Sequence, residues 1–483
     1  MKINIYNLLY IPLILFFLPS FSFYIPGLNV YPVFFFAVYF LLLILFSKNT
    51  KQILVLMKNI LKKTPAKIII AVFFLIVLNS VYLSLSHYTT IYKCVKSIFF
   101  RFVLCYGAIF VYFSFVISRY IPYKKFMTIF IFLFWNILIL GFFAYIGQLF
   151  DIEFINHLFE ILANKRFLEH SFVTFSTQDT QASNYIANGL PRLDNICDEP
   201  AFYARFLFLF MPLLFAVSSV KQQIFKNIKF DIIVKKTLIP FIIISIILTQ
   251  SPIYLILTLM LSLVYFRKKI TNAILRYNII IATCFIIFIP ILSSINWENT
   301  YFYRIYMVIQ SCSIEELVYA EPSLSSRIVS FYNTFQIFLA HPLNGVGIGN
   351  VENYQLWQLL HSKIPLTWEI TKEVAYANTH NTVVSMNTAL FYYFLASHGI
   401  IIFVLFMFFH IKLYKELNYL SKFRFDAYSN SLIYGFKWCW ISITILMFYH
   451  TRLIHMELVF LYTLIIVSIY YYKNKIYKEI IQK

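Results

Sequence analysis

The stretch that decides the fold is residues 374–411, VAYANTHNTVVSMNTALFYYFLASHGIIIFVLFMFFHI, which contains no Asp, Glu, Lys or Arg. Residues 3–47, 126–150 and 237–266 are also free of charged side chains. A run of about 20 apolar residues can cross the hydrocarbon core of a bilayer, so each stretch could cross it once and some could cross it twice. These stretches predict a polytopic membrane protein built from transmembrane helices.

The composition of the whole chain agrees with a membrane protein. Of its 483 residues, 61% are hydrophobic and 12% are charged. Soluble domains have about 45–50% apolar and about 25% charged residues. A soluble enzyme and an intrinsically disordered chain are therefore excluded.

The basic residues indicate how the chain is oriented in the membrane. We expect about twelve spans, at roughly 5–25, 30–47, 68–86, 98–117, 126–149, 201–220, 237–249, 252–266, 278–294, 387–410, 431–449 and 454–472. Most of the 40 Lys and Arg residues then fall in alternate connections, on the same side as both termini. By the positive-inside rule, both termini are cytoplasmic. The net charge of +20 reflects this orientation and contacts with anionic lipid headgroups, and it does not indicate nucleic-acid binding.

The number of spans depends on residues 237–266. A break at Thr249-Gln250-Ser251-Pro252 gives two short spans and keeps the basic residues after 266 on the cytoplasmic side. Proline is unfavourable inside a helix, which favours this break. One long tilted helix would instead give eleven spans.

With twelve spans, the chain divides into five parts. These are N-terminal transmembrane helices (1–150), a first large outer loop (151–200), central transmembrane helices (201–294), a second large outer loop (295–386), and C-terminal transmembrane helices with a cytoplasmic tail (387–483).

The first outer loop leads into a span through charged residues. Arg192 and Glu199 precede the span, and Arg205 lies one turn inside it. Charged side chains near hydrocarbon are costly unless they are paired or face water. This favours a functional site or a structural Glu199–Arg205 pair, and the two roles are compatible.

The second outer loop combines an amphipathic helix with a glycine turn. Arg327 opens a periodic helical pattern over 327–340, which Pro342 ends. Gly345 and Gly347 allow backbone conformations that other residues avoid. Such a turn can present consecutive N–H groups to an anion, although a plain helix-to-loop turn explains the pattern as well.

Two more polar groups lie at outer span ends. His380 and Asn381 lie in the stretch quoted above, where a lone His is more often structural than catalytic. The last hairpin holds His450, Arg452, His455 and Glu457. Guanidinium groups can hold a diphosphate through paired hydrogen bonds, and the outer arginines able to do so are Arg192, Arg205, Arg327 and Arg452.

The order of these motifs resembles the O-antigen polymerase and ligase superfamily. The resemblance rests on Ser326-Arg327, on the run from Phe338 to Asn350 that contains His341-Pro342, and on His380-Asn381 before a return into the membrane. The sequence Arg192 … Glu199-Pro200 before a span resembles the polysaccharide polymerases in particular. Motifs cover about residues 190–400, and the rest of the chain matches by topology only.

The resemblance implies an all-α polytopic glycosyltransferase of the bacterial inner membrane, whose two large loops are periplasmic and contain short amphipathic helices. Its substrate would be an undecaprenyl-diphosphate-linked oligosaccharide, with the lipid diphosphate as leaving group and no required metal or cofactor. A protein that regulates chain length is a further expected partner.

The resemblance also implies roles for individual residues. Arg327 first, with Arg192 and Arg205, would neutralise the diphosphate. His380 would be the general base for the acceptor hydroxyl, and Glu199 would orient an arginine or the acceptor. Further substrate-binding residues would be Asn381, His341, Gly345, Gly347, Arg452 and His455.

The chain departs from the family pattern in two places. Ser251-Pro252 stands where relatives tend to have Ser-Arg. His380 lies about two helical turns farther from Gly399 than the pattern expects, and Asn387 could occupy the matching position instead.

Three functions remain open at this stage. A polymerase joins lipid-linked repeat units, a ligase moves a finished glycan to the lipid A core, and a flippase transports lipid-linked sugars. The Arg192 … Glu199-Pro200 sequence favours the polymerase. Transporters have charges buried at the midplane, whereas here only Lys437 intrudes, close enough to the end of its span to snorkel.

Overall fold

The computed structural model describes residues 55, 58–59, 64–85, 122–156, 158, 193, 200–249, 251, 253–266, 310, 322–347, 350–351, 354–355, 357–358, 389–449 and 456–481. All regular secondary structure within these residues is helical. The longer helices in this part of the chain are α1 (Thr64–Leu85), α2 (Tyr123–Leu149), α3 (Pro200–Ser218), α4 (Ile228–Thr249), α5 (Ile253–Phe266), α6 (Pro322–Ala340), α7 (Leu390–Leu420), α8 (Ala427–Tyr449) and α9 (Met456–Ile481).

Several of these helices are suited to a membrane. By length and composition, α2, α4, α7 and α8 can each cross a bilayer. Shorter apolar stretches occupy Phe74–Leu83, Tyr203–Ser218 and Ile253–Phe266. The all-helical architecture is therefore confirmed for the described part of the chain, which includes four helices long and apolar enough to cross a membrane. The predicted spans at 5–25, 30–47, 98–117 and 278–294 lie outside the described residues, so the count of twelve stays a prediction.

The helices that extend farthest beyond their predicted spans are α4, α7 and α9. The α4 helix begins at Ile228 instead of 237, α7 continues to Leu420 instead of 410, and α9 continues to Ile481 instead of 472. The added turns contain charged residues, which an apolar window excludes but helical hydrogen bonding tolerates. In α4, Asp231 and Lys235 form an i,i+4 ion pair at 2.6 Å. The predicted break between α4 and α5, by contrast, is confirmed.

The α3 helix forms the centre of the packed core. Its side chains from Tyr203 to Val217 are almost wholly buried, and it packs mainly against α8 and α4. At the crossing with α8, a Cβ on Gly435 would lie 2.9 Å from the Cα of Leu213. Only glycine permits this close approach, so the α3–α8 contact depends on it.

A buried polar network joins α7, α8 and α9. The two ring nitrogens of His410 bond the Thr444 hydroxyl at 2.9 Å and the Tyr462 hydroxyl at 2.8 Å. Trp440 Nε1 donates to the His410 carbonyl oxygen at 2.8 Å. Because each of these buried groups has a partner, the network fixes the rotation of three apolar helices at little desolvation cost.

The bundle has two chemically different ends. At one end, Asp426 in the α7–α8 connection lies 2.9 Å from Lys124 at the start of α2 and 3.9 Å from Lys475 near the end of α9. The opposite ends of α8 and α9 carry Tyr449 and Glu457. We call the first end, which also carries Lys422 and Arg424, the lysine-rich end.

The ion pairs of the lysine-rich end make a testable contribution to stability. Burial alone would raise the pKa of the Asp426 carboxyl, but hydrogen bonds from Ser429 and Lys124 and the charges of Lys124 and Lys475 lower the pKa below its usual value. A carboxyl group whose pKa is lower in the folded state than in the unfolded state stabilises the protein at pH values above the unfolded-state pKa of about 3.9. This stabilisation is lost as the pH falls through the folded-state pKa. We expect Asp426→Asn to lower the Tm modestly at pH 7, and the Tm difference from wild type to close below about pH 4.

Thermal unfolding of the detergent-purified protein from pH 7 to 3 measures this difference. Lys422→Gln, at the same end, is the matched control. A Tm difference between Asp426→Asn and wild type that stays constant over the whole range contradicts the prediction.

Candidate anion-binding site

A buried ion pair joins α3 to α9 at the end of the bundle opposite the lysine-rich end. Arg205 Nε donates to Glu457 Oε1 at 2.7 Å, and Arg205 Nη2 lies 2.6 Å from the same oxygen. Arg205 is 4% exposed and Glu457 is 9% exposed. Glu457 lies in the first turn of α9, where the helix dipole favours a carboxylate. The structure thus gives Arg205 a partner on another helix, and the expected partner Glu199 lies outside the described residues.

A second arginine lies at the same end of the bundle. Arg327 is half-buried on α6, and its guanidinium carbon lies 5.5 Å from the centroid of the Tyr449 ring at the end of α8. Its Nε is buried and has no hydrogen-bond partner. No carboxylate in the described part of the chain pairs with Arg327. This side chain therefore brings a positive charge and unused donors to the site.

Two tyrosines connect the arginines. Tyr254 on α5 is 2% exposed, and its ring centroid lies 6.0 Å from that of Tyr449 in an edge-on arrangement. Arg205, Arg327 and Glu457 all interact electrostatically with Tyr254. We call these five residues the arginine cluster. It contains two cations and one anion, so it is suited to attract an anion.

The first predicted loop reaches this end of the bundle. Leu193 is fully buried, and its N–H donates to the Leu248 carbonyl oxygen at 2.9 Å. Leu248 is the penultimate residue of α4, and Tyr254 lies in the first turn of the following helix, α5. The neighbouring Arg192 lies outside the described residues.

The α6 helix is confirmed, and it buries polar residues alongside Val329 and Ile337, which are each 1% exposed. Its polar residues Ser330, Asn333 and Thr334 are buried, while Phe335 is 38% and Leu339 is 53% exposed. Helices of soluble proteins bury their apolar stripe and expose the polar one. The exposed apolar residues of α6 are suited to contact with lipid.

The turn after α6 has a different role from the one expected. Gly345 and Gly347 do adopt positive φ, at 65° and 87°. However, the N–H groups of Val346 and Gly347 donate to the carbonyls of Ala396 and Ser397 on α7, both at 2.8 Å, and Gly345 N–H donates to the His341 carbonyl. The expectation that this turn presents free N–H groups to an anion is therefore corrected. It instead satisfies the backbone of α7.

The α7 helix is interrupted where this turn contacts it. Gly399 has φ 71° and ψ 178°, which is not helical, and Ile400 N–H donates to the Pro342 carbonyl at 2.8 Å. A helix interruption inside a membrane needs such partners, because no water is present to hydrogen-bond the freed groups. The sequence predicts a continuous helix here, so the break is a finding of the structure. Asn79 of α1 holds the turn from the other side, with its amide donating to the Asn344 carbonyl at 2.6 Å.

The predicted site residues thus fall into three groups. Arg205 and Arg327 meet in the arginine cluster. His341, Gly345 and Gly347 lie beyond the far end of α6, about 20 Å from Arg327 along the helix axis, so they do not share its site. Glu457, Tyr254 and Tyr449 join the site without having been predicted in that role. The remaining predicted residues lie outside the described part of the chain: Arg192, Glu199, His380, Asn381, Arg452 and His455.

Comparison of the sequence with models of known protein families gives no match, and comparison with curated proteins gives none either.

Proposed function

We propose that this protein is a membrane glycosyltransferase of the O-antigen polymerase type. It joins undecaprenyl-diphosphate-linked oligosaccharide repeat units into O-antigen or capsular polysaccharide. The observation that carries the proposal is Arg327, a cation with a buried, unbonded Nε beside the buried Arg205–Glu457 pair. Guanidinium groups match the paired oxygens of a diphosphate, which makes this cluster a suitable site for the lipid carrier.

In this proposal, the arginine cluster faces the periplasm and the lysine-rich end faces the cytoplasm. The positive-inside rule supports this orientation, since Lys124, Lys422, Arg424 and Lys475 share one end of the bundle. About twelve spans then place both termini in the cytoplasm of the bacterial inner membrane. Residues 151–200 and 295–386 form the two large periplasmic loops.

The proposed reaction exchanges one glycosidic bond for another. The bond from the anomeric carbon of the donor glycan to the diphosphate breaks, and a bond to an acceptor hydroxyl oxygen forms. Negative charge develops on the leaving lipid diphosphate, and Arg327 stabilises it together with Arg192 and Arg205. His380 takes the proton of the acceptor hydroxyl, while Glu199 and Asn381 orient the reacting groups. The reaction needs no metal or nucleotide sugar, and a chain-length regulator is its proposed protein partner.

Deletion of the gene in its host tests the reaction class through the surface polysaccharide on a gel. A core that carries a single repeat unit, without a ladder, supports the polymerase. A bare core with long polymer stranded on the lipid carrier would assign the ligase reaction instead. A bare core with single units retained on the cytoplasmic side would assign transport.

Substitution of Arg327 tests the site. We expect Arg327→Ala to lower chain extension about 100-fold at unchanged protein level, because one electrostatic contact to the leaving group is lost. Arg327→Lys should restore activity only in part, since lysine keeps the charge but not the paired donors. Lys422→Gln at the lysine-rich end serves as the control and should give a normal ladder. A full-length ladder from Arg327→Ala would remove Arg327 from the mechanism.

A further inference from the structure

We propose that α7 and α8 carry a binding site for the phosphate group of an anionic phospholipid, centred on Lys437. The site lies on the side of the bundle toward the lysine-rich end and is independent of the arginine cluster. Lys437 follows the start of α8 at Ala427 by about 15 Å along the helix axis. Its side chain is half-buried, and Tyr434, one turn earlier on α8, is 44% exposed.

The contacts of Lys437 are made with neutral groups. Its Nζ donates to Asn418 Oδ1 on α7 at 2.7 Å and lies 5.6 Å from the centroid of the Tyr414 ring. An ammonium group has three N–H donors, and Asn418 takes only one of them. The ammonium group thus points toward the lysine-rich end and keeps donors for a further acceptor.

Some lysines near this end, unlike Lys437, are paired with carboxylates. Lys124 contacts Asp426 at 2.9 Å, and Lys473 contacts Glu416 at 2.5 Å. No carboxylate among the described residues lies within ion-pair distance of Lys437. A cation in this position within an apolar helix is costly unless an anion or water compensates it. Lys437 therefore has donors that an anionic partner from outside the described chain can accept.

The surroundings of Lys437 identify the kind of anion. Asn418 lies two residues before the end of α7, and the Tyr414 ring packs 4.6 Å from that of Trp440. Tyrosine and tryptophan are enriched at the level of the lipid headgroups. The surrounding surface is apolar, with Ile411 44% exposed one turn before Tyr414, so the anion arrives laterally from the bilayer. The nearby lysine-rich end also carries the positive charges of Lys422 and Arg424, which favours a lipid with net negative charge.

Spin-labelled lipids test this site on the full-length protein in phosphatidylcholine vesicles. We expect the wild type to bind spin-labelled phosphatidylglycerol more tightly than spin-labelled phosphatidylcholine. Lys437→Gln should lower this preference about fivefold. Lys437→Arg should keep the preference. Lys422→Gln, which removes an exposed charge from the α7–α8 connection, is the matched control and should also keep it.

A second variant tests the same site in case Lys437→Gln lowers the Tm. Asn418→Asp places a carboxylate on Lys437 and should abolish the preference while the packing remains. An unchanged preference in Asn418→Asp would overturn the proposal. Equal losses of the lipid preference in Lys437→Gln and Lys422→Gln would also overturn it, because they would indicate diffuse electrostatic attraction. Displacement of the labelled lipid by inorganic phosphate would overturn it too, because it would indicate a site for a soluble anion.

Discussion

Replacement of Arg205 by alanine is expected to remove most of the folded protein, because the Glu457 carboxylate would remain buried without its partner. Breaking one side of a buried ion pair costs about 3–5 kcal/mol. Typical folded proteins are stable by about 5–15 kcal/mol, so this loss is a large share of the total. Glu457→Ala should have a similar effect, since it removes the carboxylate that bonds Arg205, whose side chain is 4% exposed. Size-exclusion profiles and Tm values of the detergent-purified variants measure both losses.

A double substitution separates the structural role of the pair from its functional role. Arg205→Met combined with Glu457→Met removes both charges and keeps the volume, which is often neutral for stability. We expect the double variant to recover most of the Tm lost by either single variant and still to lack chain extension. A double variant as unstable as both singles combined would mean that the two residues do not stabilise each other.

Gly399→Ala is expected to destabilise the protein by at least about 3 kcal/mol. The backbone at φ 71° and ψ 178° is essentially restricted to glycine, and strain of this kind alone costs about 1–3 kcal/mol. A Cβ at this position would also overlap the carbonyl group of Leu343. Accommodating it would require the turn after α6 to move away, which would leave the freed backbone groups of α7 without partners. The Tm, together with protease cleavage near the exposed Leu343, reports both effects.

A neighbouring residue on α7 provides the control for this substitution. Ile401 is 55% exposed and has no role in the interruption, so Ile401→Ala should leave the Tm and the cleavage pattern nearly unchanged. Gly345→Ala should behave like Gly399→Ala, since its Cβ would lie 2.5 Å from the His398 backbone nitrogen. Wild-type stability in both glycine variants would show that the turn and the α7 interruption do not depend on each other.

Much of the helical architecture could be predicted from charge-free stretches. The predicted span at 126–149 corresponds to α2 within three residues, and the break before α5 follows from Pro252. Helix ends were predicted less well at the lysine-rich end. Hydropathy marks the part of a helix that lies in hydrocarbon, whereas backbone hydrogen bonding continues through charged turns such as that of Asp231 and Lys235.

The candidate site could be predicted only in part. The costly placement of Arg205 near hydrocarbon indicated a partner, and the structure supplies Glu457, 252 positions away in the sequence. Such a pairing depends on which helices pack together, and no local pattern determines that. Anion binding was expected of the glycine turn because its consecutive N–H groups can point toward one ligand. The same N–H groups can donate equally well to the carbonyls of an interrupted helix. The sequence of α7 does not reveal that this helix is interrupted.

The interruption of α7 sets an order for assembly during synthesis. When α7 leaves the translocon, the carbonyls of Ala396 and Ser397 and the N–H of Ile400 need partners that α7 does not supply. In lipid each unpaired group costs several kcal/mol, which opposes release of the helix on its own. The turn that supplies the partners is made about fifty residues earlier, so the ribosome delivers it before the helix that needs it. Lateral release of α7 is thereby coupled to docking of a segment that has already left the ribosome.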